Sequence, residues 1–274
     1  MIPLKDNLPT SRFPVLTVLF IAINIGVFIW QTQFPVDQAQ FGPDAASIDA
    51  SAVEYGAIPA RITQPGDSDC AVGQSGGKSG QIVCGEEVKQ SDQPLDQAPW
   101  WVTVFTSMFM HGGLLHIGGN MLFLWIFGNN IEDSMGRVRF LIFYLMAGIV
   151  AVYAQAALDP DATVPTIGAS GAVAGVLGAY ALLHPRARVL TFVFIIFFIT
   201  LIEVPAVLLL GIWFILQFLL AVGQTAVSDV GEGGGVAYFA HVGGFIFGLL
   251  AIKLFADRHP ERRERGPYLT GQQP

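Results

Sequence analysis

Gly168-Ala169-Ser170-Gly171-Ala172-Val173-Ala174-Gly175-Val176-Leu177-Gly178 is an apolar run with one hydroxyl at its mouth. Gly171, Gly175 and Gly178, with Ala174, recur at three- and four-residue intervals, the spacing of one helical face. A stripe of small residues lets helices approach closely in lipid. A serine opening such a run has a plain reading as a helix N-cap. The flanking Gly168 and Gly171 add a second reading, because they let another backbone come close. Further along, Ala240-His241-Val242-Gly243-Gly244 opens another such run, and His241, Gly244 and Gly248 share one face at i, i+3, i+7. Matching small faces would set Ser170 beside His241, as a nucleophile beside its general base. Polar groups at membrane depth are costly and are functional candidates by default.

Composition supports a membrane setting. The 274-residue chain is 53% hydrophobic and 13% charged, whereas a soluble domain carries about 25% charged residues. The expected fold class is all-α, a polytopic helix bundle. Six spans are expected at 13–31, 114–131, 139–157, 169–183, 204–222 and 236–255, most of them near the length a helix needs to cross a bilayer, with the shorter ones continuing into flanking polar turns. The first apolar run reads as a span rather than a cleaved signal. Lys5 and Arg12 precede the first span. Arg137 and Arg139 lie between the second and third, and Arg186 and Arg188 follow the fourth. Arg258, Arg262, Arg263 and Arg265 follow the sixth. The alternate connections carry Asp159 and Asp161, then Asp229 and Glu232. Both termini are therefore expected in the cytoplasm. The apolar piece 189–202 is too short for a span and reads as an interfacial elbow or re-entrant segment; a seven-span count would put the tail arginines outside.

Residues 34–99 are rich in Gly, Pro, Ser, Asp and Gln, with ten acids against Arg61, Lys78 and Lys89. They read as an external loop or lid. Cys70 and Cys84, the only cysteines, fall within it; a disulfide suits that compartment, and two free thiols are the alternative. The net charge of -7, without a dense basic face, excludes nucleic-acid binding.

A third constellation is His111-Gly112-Gly113-Leu114-Leu115-His116-Ile117-Gly118-Gly119-Asn120. His116 and Asn120 share a face at i, i+4, and both can donate to a developing oxyanion. His111 and His116 are five apart, with no carboxylate at the spacing a zinc set needs, so no metal or cofactor is expected. A fourth is Gly128-x3-Glu132-x3-Gly136, where Glu132 reads as structural, capping a helix or pairing with Arg137 or a loop.

In order, these motifs resemble those of the rhomboid intramembrane serine proteases, over roughly residues 100–255. The resemblance implies a Ser170–His241 dyad without an acid. It implies an oxyanion site of Asn120, His116 and the Ser170 backbone N–H, with His111, Gly168, Gly171 and Gly244 structural around it. With the charge and composition readings above, the expected organisation is a cytoplasmic segment 1–12, a first span 13–31, an external loop or lid 32–99, a rhomboid-like catalytic core 100–255 and a cytoplasmic tail 256–274. The expected activity is cleavage of transmembrane protein substrates near the outer face of a prokaryotic cell membrane, with membrane lipid around the bundle. Water would reach Ser170 through a cavity lined by His116, Asn120, Gln155, Thr166 and Gln217. An inactive relative that escorts membrane proteins is the alternative; a transporter would want more ionisable groups at mid-membrane. Many family members stack a Tyr, four residues after the serine, on the base. Ala174 holds that position here, so the support of His241 is open. The 34–99 segment is longer than in the simplest bacterial members.

Overall fold

In the computed structural model, which describes residues 1–35, 47–64, 70–73, 82–195, 198–226 and 236–256, the apolar runs form helices. Among the described residues, four helices are long and apolar enough to cross a membrane: α1 (Val15–Thr32), α7 (Arg137–Leu158), the Ala206–Gly223 part of α9 (Ala206–Ala226), and α10 (Tyr238–Phe255). The expected second span is an interrupted rod. It runs through α5 (Leu114–Phe123), a π-helical turn (Leu124–Gly128) and α6 (Asn129–Met135). The shorter α8 (Ser170–Leu183) is the central stave, buried at every position from Gly171 to Tyr180.

The Gly128-x3-Glu132-x3-Gly136 pattern explains how this rod meets its neighbours. A Cβ on Gly128 would lie 3.3 Å from Thr17 Cγ2, so α1 crosses there at close range. One turn on, the Glu132 carboxylate accepts the backbone N–H of Leu16 (3.0 Å) and Thr17 (2.8 Å) and the Thr17 hydroxyl (2.8 Å). Helix α1 has no acid in its own first turn, and its first N–H groups need an acceptor. Glu132 therefore caps α1 from another helix and also complements its dipole. Gly136, at φ 78°, makes the left-handed joint into α7. Glu132→Ala strips three donors of their acceptor, at about 1–3 kcal/mol for each one left buried. The expected result is a melting temperature in detergent lowered by roughly 5–10 °C, with a smaller loss in Glu132→Gln. An unchanged melting temperature in the alanine variant would mean that α1 is held by other contacts.

The core lies where α1, the π turn, α7 and α8 meet. Phe20 stacks on Tyr144 (ring centroids 4.2 Å), and Phe127 meets Tyr180 edge-on at 4.9 Å. In lipid such packing holds helices by van der Waals contact, since moving apolar surface from tails to protein gains little.

The described residues are mostly helical, as expected of a helix bundle, but the all-α expectation needs correction, because they also include two three-stranded sheets. Residues 189–195 and 198–202 form strand rather than the expected elbow or re-entrant piece. They lie within an antiparallel hairpin of β5 (Arg188–Ile195) and β6 (Phe198–Pro205), and the N-terminal strand β1 (Ile2–Asp6) pairs with β5. The physical reason is a period of two: Val189, Thr191 and Val193 turn inward, and β-branched residues suit a pleated surface. Asp6 pins this sheet to the far end of α8 from Ser170. Its carboxylate accepts from Tyr180 Oη (2.6 Å) and Asn130 Nδ2 (2.6 Å). Burial pushes the Asp6 carboxyl up, against the lowering effect of the Tyr180 bond.

The 34–99 segment folds further than a loop would. It contains α2 (Ser47–Tyr55), α3 (Pro59–Thr63) and a sheet of β2 (Cys70–Val72), β3 (Ile82–Cys84) and β4 (Gln93–Pro94). Cys70 and Cys84 are direct cross-strand partners and are disulfide-bonded. Gln31 Nε2 donates to Ser51 Oγ (3.2 Å), and Thr106 Oγ1 donates to the Tyr55 carbonyl (2.6 Å). Ala57 and Thr166 exchange both backbone hydrogen bonds. Lys78, Asp229, Glu232 and the tail arginines, on which part of the charge argument rests, lie outside the described residues.

Candidate active site

The loop before α8 reaches Ser170 through Gly168, whose φ of 125° is accessible to glycine and strained for other residues. Its N–H donates to the Ser107 carbonyl at 2.9 Å. A Cβ there would lie 2.7 Å from His116 Nε2 and 3.4 Å from Ser170 Oγ. Gly168 thus keeps open the space that His116 and Ser170 share. Ser170 is the first residue of α8, where backbone N–H groups have no intrahelical acceptor and the dipole is positive.

Small residues bring α10 against α8. A Cβ on Gly244 would strike the Gly171 carbonyl, one on Gly248 the Gly175 carbonyl, and one on Gly178 the Phe245 carbonyl. The two stripes read from the sequence therefore meet. The consequence is a 2.8 Å hydrogen bond between Ser170 Oγ and His241 Nε2. The other ring nitrogen, Nδ1, lies 2.6 Å from Gln217 Oε1 on α9. An amide oxygen only accepts, so Nδ1 carries the proton and Nε2 has its lone pair toward the serine hydroxyl. Trp213, one turn before Gln217, has its ring 5.9 Å from the imidazole, tilted by 34°. The backbone N–H of Ala240, just before the histidine, donates to Gln155 Oε1 on α7 at 3.3 Å.

His116 and Asn120 face the same space from α5. Gly112 N–H donates to His116 Nδ1 at 3.3 Å. A neutral His116 then carries its proton on Nε2, the nitrogen nearest Gly168. Asn120 Nδ2 donates one N–H to the His116 carbonyl at 3.1 Å. An amide has two such donors, which leaves the second for the cavity. His111 stands apart. Its side chain is buried, its ring meets His116 edge-on at 5.0 Å, and its backbone N–H donates to Gln31 Oε1 at 2.9 Å. It ties the loop before α5 to α1.

These groups border a cavity of about 880 Å³ that reaches Ser170, His241, His116 and Asn120. Gln155 and Thr166 line it, and Asp49 and Pro59 bring the 47–63 helices into its wall. Gln217, expected along this lining, is instead behind the imidazole. Its role and that of Trp213 were not read from the sequence. The signal was there: Gln217 is the one amide in the apolar stretch from Ala206 to Val222.

A serine and a histidine joined in the cavity of a helical membrane bundle define a narrow class. The Rhomboid domain family model matches residues 98–258, more than half of the chain. The chain belongs to the rhomboid family. It is 35% identical over 175 residues to Rhomboid protein 1, mitochondrial, of Saccharomyces cerevisiae, covering 62% of this chain and 46% of that protein. It is 34% identical over 157 residues to Rhomboid protease GluP of Bacillus subtilis, covering 57% and 26%. It is 27% identical over 186 residues to the human presenilin-associated rhomboid-like protein, mitochondrial, covering 60% and 44%. The chain thus spans less than half the length of these relatives.

Proposed function

We propose that this rhomboid is an intramembrane serine endopeptidase that cleaves transmembrane proteins by a Ser170–His241 dyad. The observation that carries the reading is the 2.8 Å Ser170–His241 hydrogen bond, with both residues lining a cavity of about 880 Å³. Ser170 Oγ attacks the scissile carbonyl carbon while His241 Nε2 takes its proton. The oxyanion that forms is met by the Ser170 backbone N–H, His116 Nε2–H and the second N–H of Asn120. Collapse breaks the C–N bond, and the leaving amine takes the proton from Nε2. Water entering through the cavity then attacks the acyl ester and gives its proton to Nε2; collapse breaks the C–Oγ bond, and Nε2 returns the proton to Ser170 Oγ.

Six spans in a prokaryotic cell membrane accompany this reading. The four long helices, the interrupted α5–α6 rod and α8 supply them, with both termini in the cytoplasm and Ser170 near the outer face. The disulfide at the Ser170 end favours an oxidising side. The name of the Bacillus relative, a rhomboid protease, supports the activity. The direct test is incubation of the purified protein with a generic transmembrane substrate in detergent, scored for a Ser170-dependent cleavage product. The orientation is tested with single cysteines. Lys78→Cys and Arg262→Cys are expected to react with an impermeant maleimide from opposite sides of sealed vesicles. Labelling of both from one side would overturn the six-span count.

A further inference from the structure

Family members that carry a Tyr four residues after the serine have an aromatic ring against the base, and this chain has Ala174. The packing explains the difference. Ala174 is fully buried, and a Cβ on Gly244 would lie 3.4 Å from the Ala174 Cβ. The helices α8 and α10 are therefore too close at this level for a tyrosine between them. Support for the imidazole has to come from another side. The third helix around His241 is α9, which presents Trp213 and Gln217 one turn apart on one face.

Resting on the protease reading above, we infer that Gln217 is a positioning residue that holds His241 as a competent general base, with Trp213 bounding the ring. Gln217 Oε1 lies 2.6 Å from Nδ1, opposite the nitrogen that meets Ser170. The contact fixes two things at once. It fixes the ring rotation that aims Nε2 at Oγ. It also fixes the tautomer, since Nε2 must be the unprotonated nitrogen to accept the serine proton. The group is an uncharged amide, which suits a buried position at membrane depth. A carboxylate in the same place would need a compensating partner. The amide also has no apolar reason to be there. It is the single such side chain in an apolar stretch of α9, and it reaches His241 rather than the cavity. Trp213 packs on His241 and on Phe245 one turn further along α10, with ring centroids 5.9 and 6.1 Å away. The two side chains together bridge α9 to the catalytic turn of α10. Because α9 is the least buried of the four long helices, the base depends on the helix with the least packing.

The test uses the full chain in detergent, with wild type, Gln217→Leu and Gln217→Glu compared side by side. Three quantities are measured: the rate of Ser170 labelling by a fluorophosphonate, kcat and KM for a transmembrane substrate, and the melting temperature. Loss of the charged partner of a catalytic histidine costs about 10⁴-fold in kcat in a soluble protease. A neutral partner does less, so Gln217→Leu is expected to lower kcat and labelling on the order of a hundredfold. KM should stay near wild type, and the melting temperature should fall by no more than a few degrees: leucine fills the same volume, but the buried Nδ1–H loses its acceptor. Gln217→Glu keeps an acceptor at the same reach and is expected to recover to within about tenfold of wild type. A Gln217→Leu protein with kcat within threefold of wild type overturns the inference. So do equal losses in both variants accompanied by equal falls in melting temperature, which mark a packing residue. A wild-type protein that neither cleaves nor labels on Ser170 instead overturns the protease reading itself.

Discussion

Under the proposed protease function, Ser170→Ala and His241→Ala are each expected to reduce cleavage of a transmembrane substrate to background, the largest loss expected from any single substitution here. The reason is that the two side chains act as one unit. Without Oγ there is no nucleophile, and without Nε2 the hydroxyl keeps its proton at neutral pH. In a soluble serine protease the loss of either member costs on the order of 10⁶-fold, and removing both costs hardly more. The double variant is therefore expected to match the single ones. A fluorophosphonate is expected to label wild type on Ser170 and to label neither variant. Folding is a separate readout. Ser170→Ala removes one hydroxyl at a half-buried helix start, so its melting temperature should stay within a degree or two. His241→Ala also gives up the contacts to Gln217 and Trp213, and a drop of a few degrees is expected. Turnover near wild type in either variant, in a folded protein, ends the dyad reading.

What could be read beforehand follows from periodicity. The Gly171, Gly175, Gly178 stripe and the His241, Gly244, Gly248 stripe each fall on one helical face. Two faces without side-chain bulk have a short list of partners in a bundle of this size. Their meeting, and with it the Ser170–His241 pair, was therefore legible. Glu132 was legible as a cap but not in its target, because Leu16 and Thr17 lie more than a hundred positions away. The 188–205 hairpin was misread because a short apolar run in a membrane chain looks like an incomplete helix. Its period of two carried the correct answer, as Val189, Thr191 and Val193 alternate with Leu190, Phe192 and Phe194. The N-terminal strand had no such signal; its five residues become a strand through pairing with β5. Gln217 was legible as a candidate for the cavity lining, not as a partner of His241. Its partner depends on how far α8 and α10 close on each other, which Ala174 and Gly244 decide in three dimensions.

Asn120→Ala is expected to lower kcat by about a hundred- to a thousandfold with KM nearly unchanged. The argument starts from where charge appears. The carbonyl oxygen of the substrate is weakly polar in the ground state and becomes an oxyanion as Ser170 attacks. A donor aimed at that position therefore serves the transition state more than the bound substrate. Removing one such donor from a soluble protease costs about 2.7–4 kcal/mol, which is the stated range in rate. Asn120 meets the geometric requirement in part already: it lines the cavity, its side chain is anchored by one N–H on the His116 carbonyl, and the amide has a second N–H to donate. The anchoring bond limits the rotation needed when substrate arrives. His116→Ala is expected to act the same way but more mildly, because Asn120 and the Ser170 N–H remain. It also removes the ring that His111 packs against. His111→Ala should behave differently, lowering the melting temperature while leaving the kcat of the folded fraction close to wild type, since its ring does not reach Ser170's cavity. The measurement that separates these cases is steady-state kinetics beside thermal unfolding on the same preparations. A loss of tenfold or less in kcat for Asn120→Ala, together with a large rise in KM, would assign Asn120 to substrate binding and leave the oxyanion to His116 and the Ser170 N–H at the start of α8.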